Sequence, residues 1–260
     1  MTELPEAGKD RHMENRTNSW KTIMLKAAVA VIVLMMTAAS CGAVYFSEFY
    51  HAADGAEAAM AGSDTVKVEK LKRGKGYLFD GPGEDRAFTF LQGGKVEEEA
   101  YAPLMMRIAQ SGTDCFLISS PANFALFDRP EAVKVAEDHE YAEWYIGGHS
   151  LGGVAASMTA AEYDFMFSGI VLLGAYPAKD VPKKMRLLSI YGSEDGVLDM
   201  DSYKEGKKLW PKDADEVIIE GGNHAGFGEY GPQKGDGKST IGSEEQVEKT
   251  ADAIAEWIGK

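Results

Sequence analysis

Cysteine is scarce in this chain: its 260 residues hold only Cys41 and Cys115. Two thiols cannot build the disulfide framework of a small secreted scaffold, and no C-x-x-C spacing suggests a metal site. Cys41 lies in an apolar stretch and Cys115 opens a core-strand pattern (Cys115-Phe116-Leu117-Ile118), so pairing them is geometrically awkward and both read as unpaired. Cys115 reads as inert, since a reactive thiol needs an exposed, electropositive setting. Positive charge is also short. The chain has 27 Lys and Arg against 41 Asp and Glu, a formal net charge of −14. The first 41 residues carry five basic and four acidic side chains, which leaves −15 on the remainder. Such a surface repels phosphate backbones, and no basic stripe with interleaved aromatics offsets it, so the composition argues against a nucleic-acid partner. There is no H-E-x-x-H, no Walker loop and no dinucleotide fingerprint after the first strand, so neither metal nor cofactor is expected. Internal repeats and low-complexity tracts are absent as well.

Only one long apolar run is present. Residues 27–46, AAVAVIVLMMTAASCGAVYF, contain no charge. At 1.5 Å rise per residue this run just spans a hydrocarbon core of about 30 Å. Trp20 precedes it and Tyr45, Phe46, Phe49 and Tyr50 close it, where interfacial aromatic anchors belong. Lys and Arg occur before the run and none follows until Lys67, so the positive-inside rule puts the amino terminus in the cytoplasm and the large domain outside. An uncleaved signal anchor fits. A lipoprotein signal also fits, with Ala38-Ala39-Ser40 before a lipid-accepting Cys41, although Ala replaces the usual Leu three positions before the cysteine. A buried soluble helix is the third reading. Met13 is an alternative start to Met1. The expected organisation is a cytoplasmic leader over 1–22, a transmembrane segment over 23–46, a linker with a short helix over 47–65, and a catalytic domain over 66–260. His51 and Asp54 read as solvated linker residues, because no further ligand lies nearby.

From residue 66 onward, strand-like and helix-like patterns alternate. Residues 66–71 and 77–80 read as a hairpin pair, and 87–91, 115–119, 141–146, 169–173, 187–191 and 216–219 as further strands. Helical patterns cover 97–111, a stretch from near Pro130, 151–161 and 244–258. Strands apolar throughout and separated by helices imply a mainly parallel sheet covered on both faces, an α/β fold whose ligands bind outside the carboxyl ends of the strands.

Three loops at such strand ends carry chemistry. Gly148-His149-Ser150-Leu151-Gly152 matches G-x-S-x-G, follows the apolar Trp144-Tyr145-Ile146 and opens a helix of small residues. The pattern alone is weak, but a sharp strand-to-helix turn needs small neighbours and projects the serine Oγ above the sheet edge. Tyr191-Gly192-Ser193-Glu194-Asp195 ends another strand, and Gly221-Gly222-Asn223-His224 a third. The order Ser, Asp, His along the chain suits Ser150 as nucleophile, His224 as its base and Asp195 as the acid that orients it, with Glu194 and Asp199 as rival acids. The developing oxyanion needs donors. The N–H of Leu151 is one, and Gly94, or else Lys95, in the glycine-rich loop after strand 87–91 is the other. His149 reads as a packing residue, His12 and His139 as solvated.

These motifs resemble the α/β-hydrolase superfamily, and more narrowly its lidless, dienelactone-hydrolase-like branch with membrane-anchored bacterial members. The resemblance covers about residues 75–258 and rests on GGHSLGG (147–153), YGSEDGV (191–197) and EGGNHAGFGEYG (220–231). It implies the same roles for Ser150, Asp195, His224, Leu151 and Gly94. Dienelactone hydrolases use a cysteine nucleophile, whereas this chain has Ser150, which favours ordinary carboxylic esters. About 35 residues separate Ser150 from the next-but-one strand, too few for a lid, so an open site taking short or exposed acyl groups is expected. Phe124, Phe127, Tyr176 and Phe227 are candidates to line it. The expected enzyme is a serine esterase acting on a small-molecule ester or acyl substrate, attached to the membrane through its N-terminal segment. The same triad could act on an amide, a thioester or an envelope-polymer acyl group, or transfer the acyl group. A membrane-bound binding protein without catalysis is the reading from another class. Activity should fall in acid, once His224 is protonated and no longer acts as base.

Overall fold

The computed structural model describes residues 7–260, with side-chain surroundings described from Trp20 onward except at 22, 43, 46 and 73. Met1 and the rest of 1–6, together with the side chain of His12, lie outside the described residues. The chain divides after Glu48 into an N-terminal unit and a larger unit, Phe49–Lys260.

The described part of the N-terminal unit holds one helix, α1 (Ala7–Ser47). Within it Ile23–Gly42 is 20 residues long, apolar, and nowhere buried. The hydroxyl of Thr37 is satisfied inside the helix by the Val33 carbonyl (2.9 Å), as a polar group in an apolar segment must be. Length and composition suit a membrane anchor or a signal sequence.

The larger unit is built on an eight-stranded sheet. Its strands are β1 (Lys67–Lys70), β2 (Gly76–Asp80), β3 (Arg86–Leu91), β4 (Asp114–Ile118), β5 (Glu143–His149), β6 (Gly169–Leu173), β7 (Arg186–Gly192) and β8 (Ala214–Ile219). Their order is β1-β2-β4-β3-β5-β6-β7-β8. β1 and β2 run antiparallel, while β3 to β8 pair in parallel. Side chains of one strand alternate between two cores. In β3, Phe88 and Phe90 join the cluster under Leu104, Ile108, Ile254 and Trp257, whereas Ala87 and Leu91 join Phe116, Ile146, Ala155 and Ala156 on the other face. Helices α3 (Ala102–Gln110) and α7 (Ser243–Ile258) cover the first face, and α4 (Arg129–Asp138) and α5 (Leu151–Glu162) the second. A sheet apolar on both sides is stable only when both sides are covered.

Three local differences from expectation have physical causes. The helical pattern over 97–111 divides into a 3₁₀ turn at Glu98–Tyr101 and then α3, because Pro103 in its first turn has no N–H to donate and favours a helix start. A short helix, α6 (Met200–Gly206), follows β7, started by the Asp199 carboxylate that accepts from Ser202 N–H at 2.7 Å. The expected linker is part of the larger unit from Phe49 onward. There α2 (Asp54–Met60) buries Ala56, and Ala53 N–H donates to the Glu229 carbonyl at 2.7 Å. Its run of alanines permits this close packing, and exposed His51 lies 3.4 Å from a Glu97 carboxylate oxygen.

Candidate active site

Among the described residues, four other than glycine have positive φ: Lys95, Ala122, Asn123 and Ser150. All four stand in the connections that follow β3, β4 and β5, at the carboxyl edge of the sheet. Backbone in this region costs on the order of 1–3 kcal/mol per residue, and such costs cluster where function fixes geometry. Ser150 has φ 51° and ψ −120°. It sits between the last residue of β5 and the first of α5, its N–H bound to the Leu173 carbonyl (2.9 Å) and its carbonyl to Val154 N–H (3.2 Å). The flanking glycines are explained by crowding. A Cβ on Gly148 would collide with the Gly152 backbone, and one on Gly152 with the Leu91 and Gln92 carbonyls.

Asp195 follows β7 and His224 follows β8. His224 Nδ1 lies 2.8 Å from Asp195 Oδ2, and each side chain is only 1% exposed. Asp195 Oδ1 accepts from Val197 N–H (2.9 Å) and Leu198 N–H (2.8 Å). A carboxylate can only accept, so the imidazole proton belongs on Nδ1, which leaves Nε2 with its lone pair. His224 Nε2 is buried and has no hydrogen-bond partner, Ser150 Oγ included. Both residues nevertheless line the same cavity. Neither rival acid reaches the imidazole: exposed Glu194 accepts from Ser193 Oγ (3.2 Å), and Asp199 caps α6.

Two residues with no part in the motif reading hold this pair. Asp236 Oδ1 accepts from Gly196 N–H (3.1 Å), His224 N–H (3.2 Å) and Gly237 N–H (2.8 Å), and its Oδ2 accepts from Ala225 N–H (2.8 Å). One carboxylate thus ties the loop after β7 to the loop after β8. Gln246, buried in α7, accepts from Asn223 N–H (3.0 Å) and donates to its carbonyl (2.7 Å). Only the fold brings these groups together, 12 and 22 positions from His224 along the chain, so no local pattern announces them.

On the other flank, Gly93 N–H donates to the Tyr101 hydroxyl (3.1 Å) and Lys95 N–H to the Asn123 carbonyl (2.7 Å). That commitment removes Lys95 N–H as an anion donor. Gly94 stands between them against Leu151, and a Cβ there would lie 3.0 Å from Leu151 Cδ2. Among the described residues, neither Gly94 N–H nor Leu151 N–H has a protein acceptor. The Tyr101 hydroxyl is also 2.8 Å from His149 Nδ1. His149 is buried, its ring 4.4 Å from that of His224 and 5.4 Å from that of Phe227. Burial pushes the His149 imidazole well below its ordinary pKa, and the neighbouring His224 ring adds to the shift while the His224 main chain opposes it. His149 therefore stays neutral at neutral pH.

The cavity shared by Ser150 and His224 measures about 220 Å³ and is walled by Leu151, Val154, Tyr176, Val197 and Leu198. Of the four aromatics expected there, only Tyr176 lines it. Phe227 is wholly buried in the core, and Phe124 and Phe127 stack on each other with centroids 5.0 Å apart. A larger cavity of about 480 Å³ opens between β1, β2 and α4 and shares no residue with this one. His139 borders it and is half-buried rather than free in solvent: its Nδ1 lies 2.9 Å from the Val135 carbonyl and its ring packs on Phe116. Cys115 is buried, which raises its thiol pKa well above the ordinary value and leaves it unreactive. No group of three or more potential metal ligands occurs among the described residues.

A strained serine at a strand-to-helix turn thus shares one cavity with His224 of a buried His–Asp pair carried on the ends of β7 and β8, an arrangement that agrees with a hydrolase built on this sheet order. The chain belongs to the alpha/beta hydrolase family, whose model matches residues 87–248. Among solved structures it is similar to Est1E from Butyrivibrio proteoclasticus, at 14% identity and TM-score 0.53, over 76% of this chain and 100% of that one. It is also similar to dienelactone hydrolase from Anabaena variabilis, at 15% identity and TM-score 0.55, over 74% and 97% of the two chains. An esterase from Mycobacterium tuberculosis aligns at 14% identity and TM-score 0.55, over 80% and 96%. At these identities the likeness is one of fold. No curated protein matches the sequence.

Proposed function

We propose that this hydrolase cleaves carboxylic esters through an acyl-enzyme on Ser150. The observation that carries the reading is the buried His224–Asp195 pair, 2.8 Å across, on the same cavity as the strained Ser150. Ser150 Oγ attacks the acyl carbon while its proton passes to His224 Nε2, and Asp195 stabilises the resulting imidazolium. The carbonyl oxygen becomes an oxyanion facing Gly94 N–H and Leu151 N–H. Collapse expels the alkoxide, which takes the proton from His224 and leaves as alcohol. Water then attacks the acyl-enzyme and gives a proton to His224, which passes it to Ser150 Oγ as the acid departs. An adjoining second positive charge would oppose the imidazolium, and buried His149 carries none.

The esterase names of the similar structures agree with an ester substrate. A cavity of about 220 Å³ with walls of Val154, Val197, Leu198 and Tyr176 suits a short or medium acyl group of a small molecule. The basic residues before the apolar helix favour an anchored enzyme whose hydrolase unit faces away from the cytoplasm.

The test uses the full chain in detergent with p-nitrophenyl esters of increasing acyl length and a serine-directed phosphonate. The wild type should turn over short esters and be labelled at Ser150, and Ser150→Ala should lose about 10⁴-fold or more in kcat. Turnover that survives Ser150→Ala would sink the assignment.

A further inference from the structure

Tyr50 lies in the segment that the sequence marks as linker, yet it is bonded to loops on both flanks of Ser150. Its N–H donates to the Lys95 carbonyl (2.7 Å) and its carbonyl accepts from Glu97 N–H (2.9 Å), so that Tyr50 pairs in parallel with Val96 as an isolated bridge. Its phenolic oxygen accepts from Lys234 N–H (3.1 Å), and its ring tilts against that of Tyr230 with centroids 5.6 Å apart. Tyr230 in turn meets Tyr101, whose hydroxyl holds Gly93 N–H and His149. Ala52 and Ala53 reach the same two loops. Ala52 N–H donates to a Glu97 carboxylate oxygen (2.9 Å), and Ala53 N–H to the Glu229 carbonyl (2.7 Å).

The strap 50–53 is therefore fastened on one side to residues 95–97, directly after Gly94, and on the other to 229–234, between His224 and Asp236. Neither stretch belongs to the sheet, so the sheet alone does not fix their separation. The proposed chemistry depends on that separation, because Gly94 N–H must face the oxygen of the same acyl group whose proton transfers run through His224. An error of about 1 Å in such a geometry costs up to about 10²-fold in rate.

We infer that Tyr50 is a positioning residue that clamps the Gly94 loop to the His224 loop. Its side chain and amide touch neither reacting atoms nor the cavity, so the loss on removing it falls on kcat rather than on substrate binding. The inference rests on the ester-hydrolase reading above for its kinetic consequence, while its mechanical content is independent of substrate.

Full-length wild type, Tyr50→Ala and Tyr50→Phe in detergent are compared by ester kinetics, phosphonate labelling of Ser150 and amide hydrogen exchange. Tyr50→Ala should lose about tenfold in kcat with KM within about twofold, and label more slowly by a similar factor. Tyr50→Phe keeps the ring and main-chain bonds and should lose less, with faster exchange confined to the neighbourhood of Lys234. Exchange in Tyr50→Ala should rise at 93–97 and 229–236 while the sheet strands stay protected. An active wild type with unchanged kcat in Tyr50→Ala overturns the inference, as does unchanged exchange in both loops. If Tyr50→Ala does not fold, unaltered Lys234 exchange in Tyr50→Phe overturns it instead. A wild type that neither turns over nor labels overturns the ester-hydrolase reading, and the exchange data then decide the clamp separately.

Discussion

Gly174, at the end of β6, has φ +51°, and a methyl group there would come 3.0 Å from His224 Nδ1 and 3.1 Å from Asp195 Oδ2. Glycine is needed twice over, for the conformation and for the space beside the His224–Asp195 pair. Gly174→Ala should cost about 1–3 kcal/mol of stability and lower kcat at least about tenfold. Thermal unfolding and ester kinetics on the same sample check it, and a fully active, equally stable variant would refute it. The contrast with Ser150 shows which residues are legible in a sequence. Ser150, Asp195 and His224 each stand in a glycine-rich loop just past an apolar run, so strand, turn and reactive group lie within a window of a few residues. What demands Gly174 is two side chains that arrive from 21 and 50 positions further along the chain. Asp236 is equally silent, because its four N–H partners come from three separate places in the sequence. In Asp236→Asn the amide nitrogen would face one of these donors as a second donor, leaving at least one N–H unpaired. Such a loss costs on the order of 1–3 kcal/mol. The expected result is a fall in kcat of about tenfold or more with little change in KM, and an equal effect on both would argue for a binding role instead.

Elements were easier to place than their ends. Every strand expected from an apolar run is present, since a strand covered on both faces has a composition that no loop shares. Bounds moved by up to three residues, as where polar Glu143 and Arg186 begin strands that their neighbours complete. What the sequence hid was a packing role rather than an element: the short helix expected within 47–65 is α2, but its docking and that of the strap rely on small side chains and main-chain bonds that leave little apolar signal. The 3₁₀ turn at Glu98–Tyr101 has an energetic signature that can be measured. Burial raises the Glu98 carboxyl from 4.5 to about 7, with Glu99 and Glu97 adding to the rise and its own main chain opposing it. Its carboxyl meets the Ser119 hydroxyl. The folded pKa exceeds the unfolded one, so this contribution to stability is complete below about pH 4.5 and is lost as pH rises through about 7. Glu98→Gln keeps the shape without the charge. It should match wild type near pH 4.5 and be more stable by about 1–2 kcal/mol at pH 8, after discounting for partial exposure. Urea unfolding at the two pH values tests this, and a variant less stable at pH 8 would show that the carboxylate is favourably held.

For the whole molecule, charge and apolarity are separated along the chain. Residues beyond 41 carry a net −15, whereas the apolar run 27–46 carries no charged side chain. An anionic leaflet would repel the acidic part, each like charge near the surface being worth roughly 1 kcal/mol. Attachment by charge is therefore disfavoured, and an anchor would be hydrophobic, through the apolar helix or a lipid on Cys41, and indifferent to ionic strength. The full chain should sediment with membranes, stay there in high salt and in alkaline carbonate, and be released by detergent. Release by salt would mean that attachment is electrostatic and would contradict the charge distribution. A chain recovered in the soluble fraction, shortened at its amino terminus, would identify the helix as a signal sequence removed during export. The strap gives this outcome a further consequence. Cleavage near Cys41 leaves Tyr50 and its bonds intact, so the shortened enzyme should retain wild-type kcat, whereas cleavage beyond Ala53 should lower it by the factor seen in Tyr50→Ala.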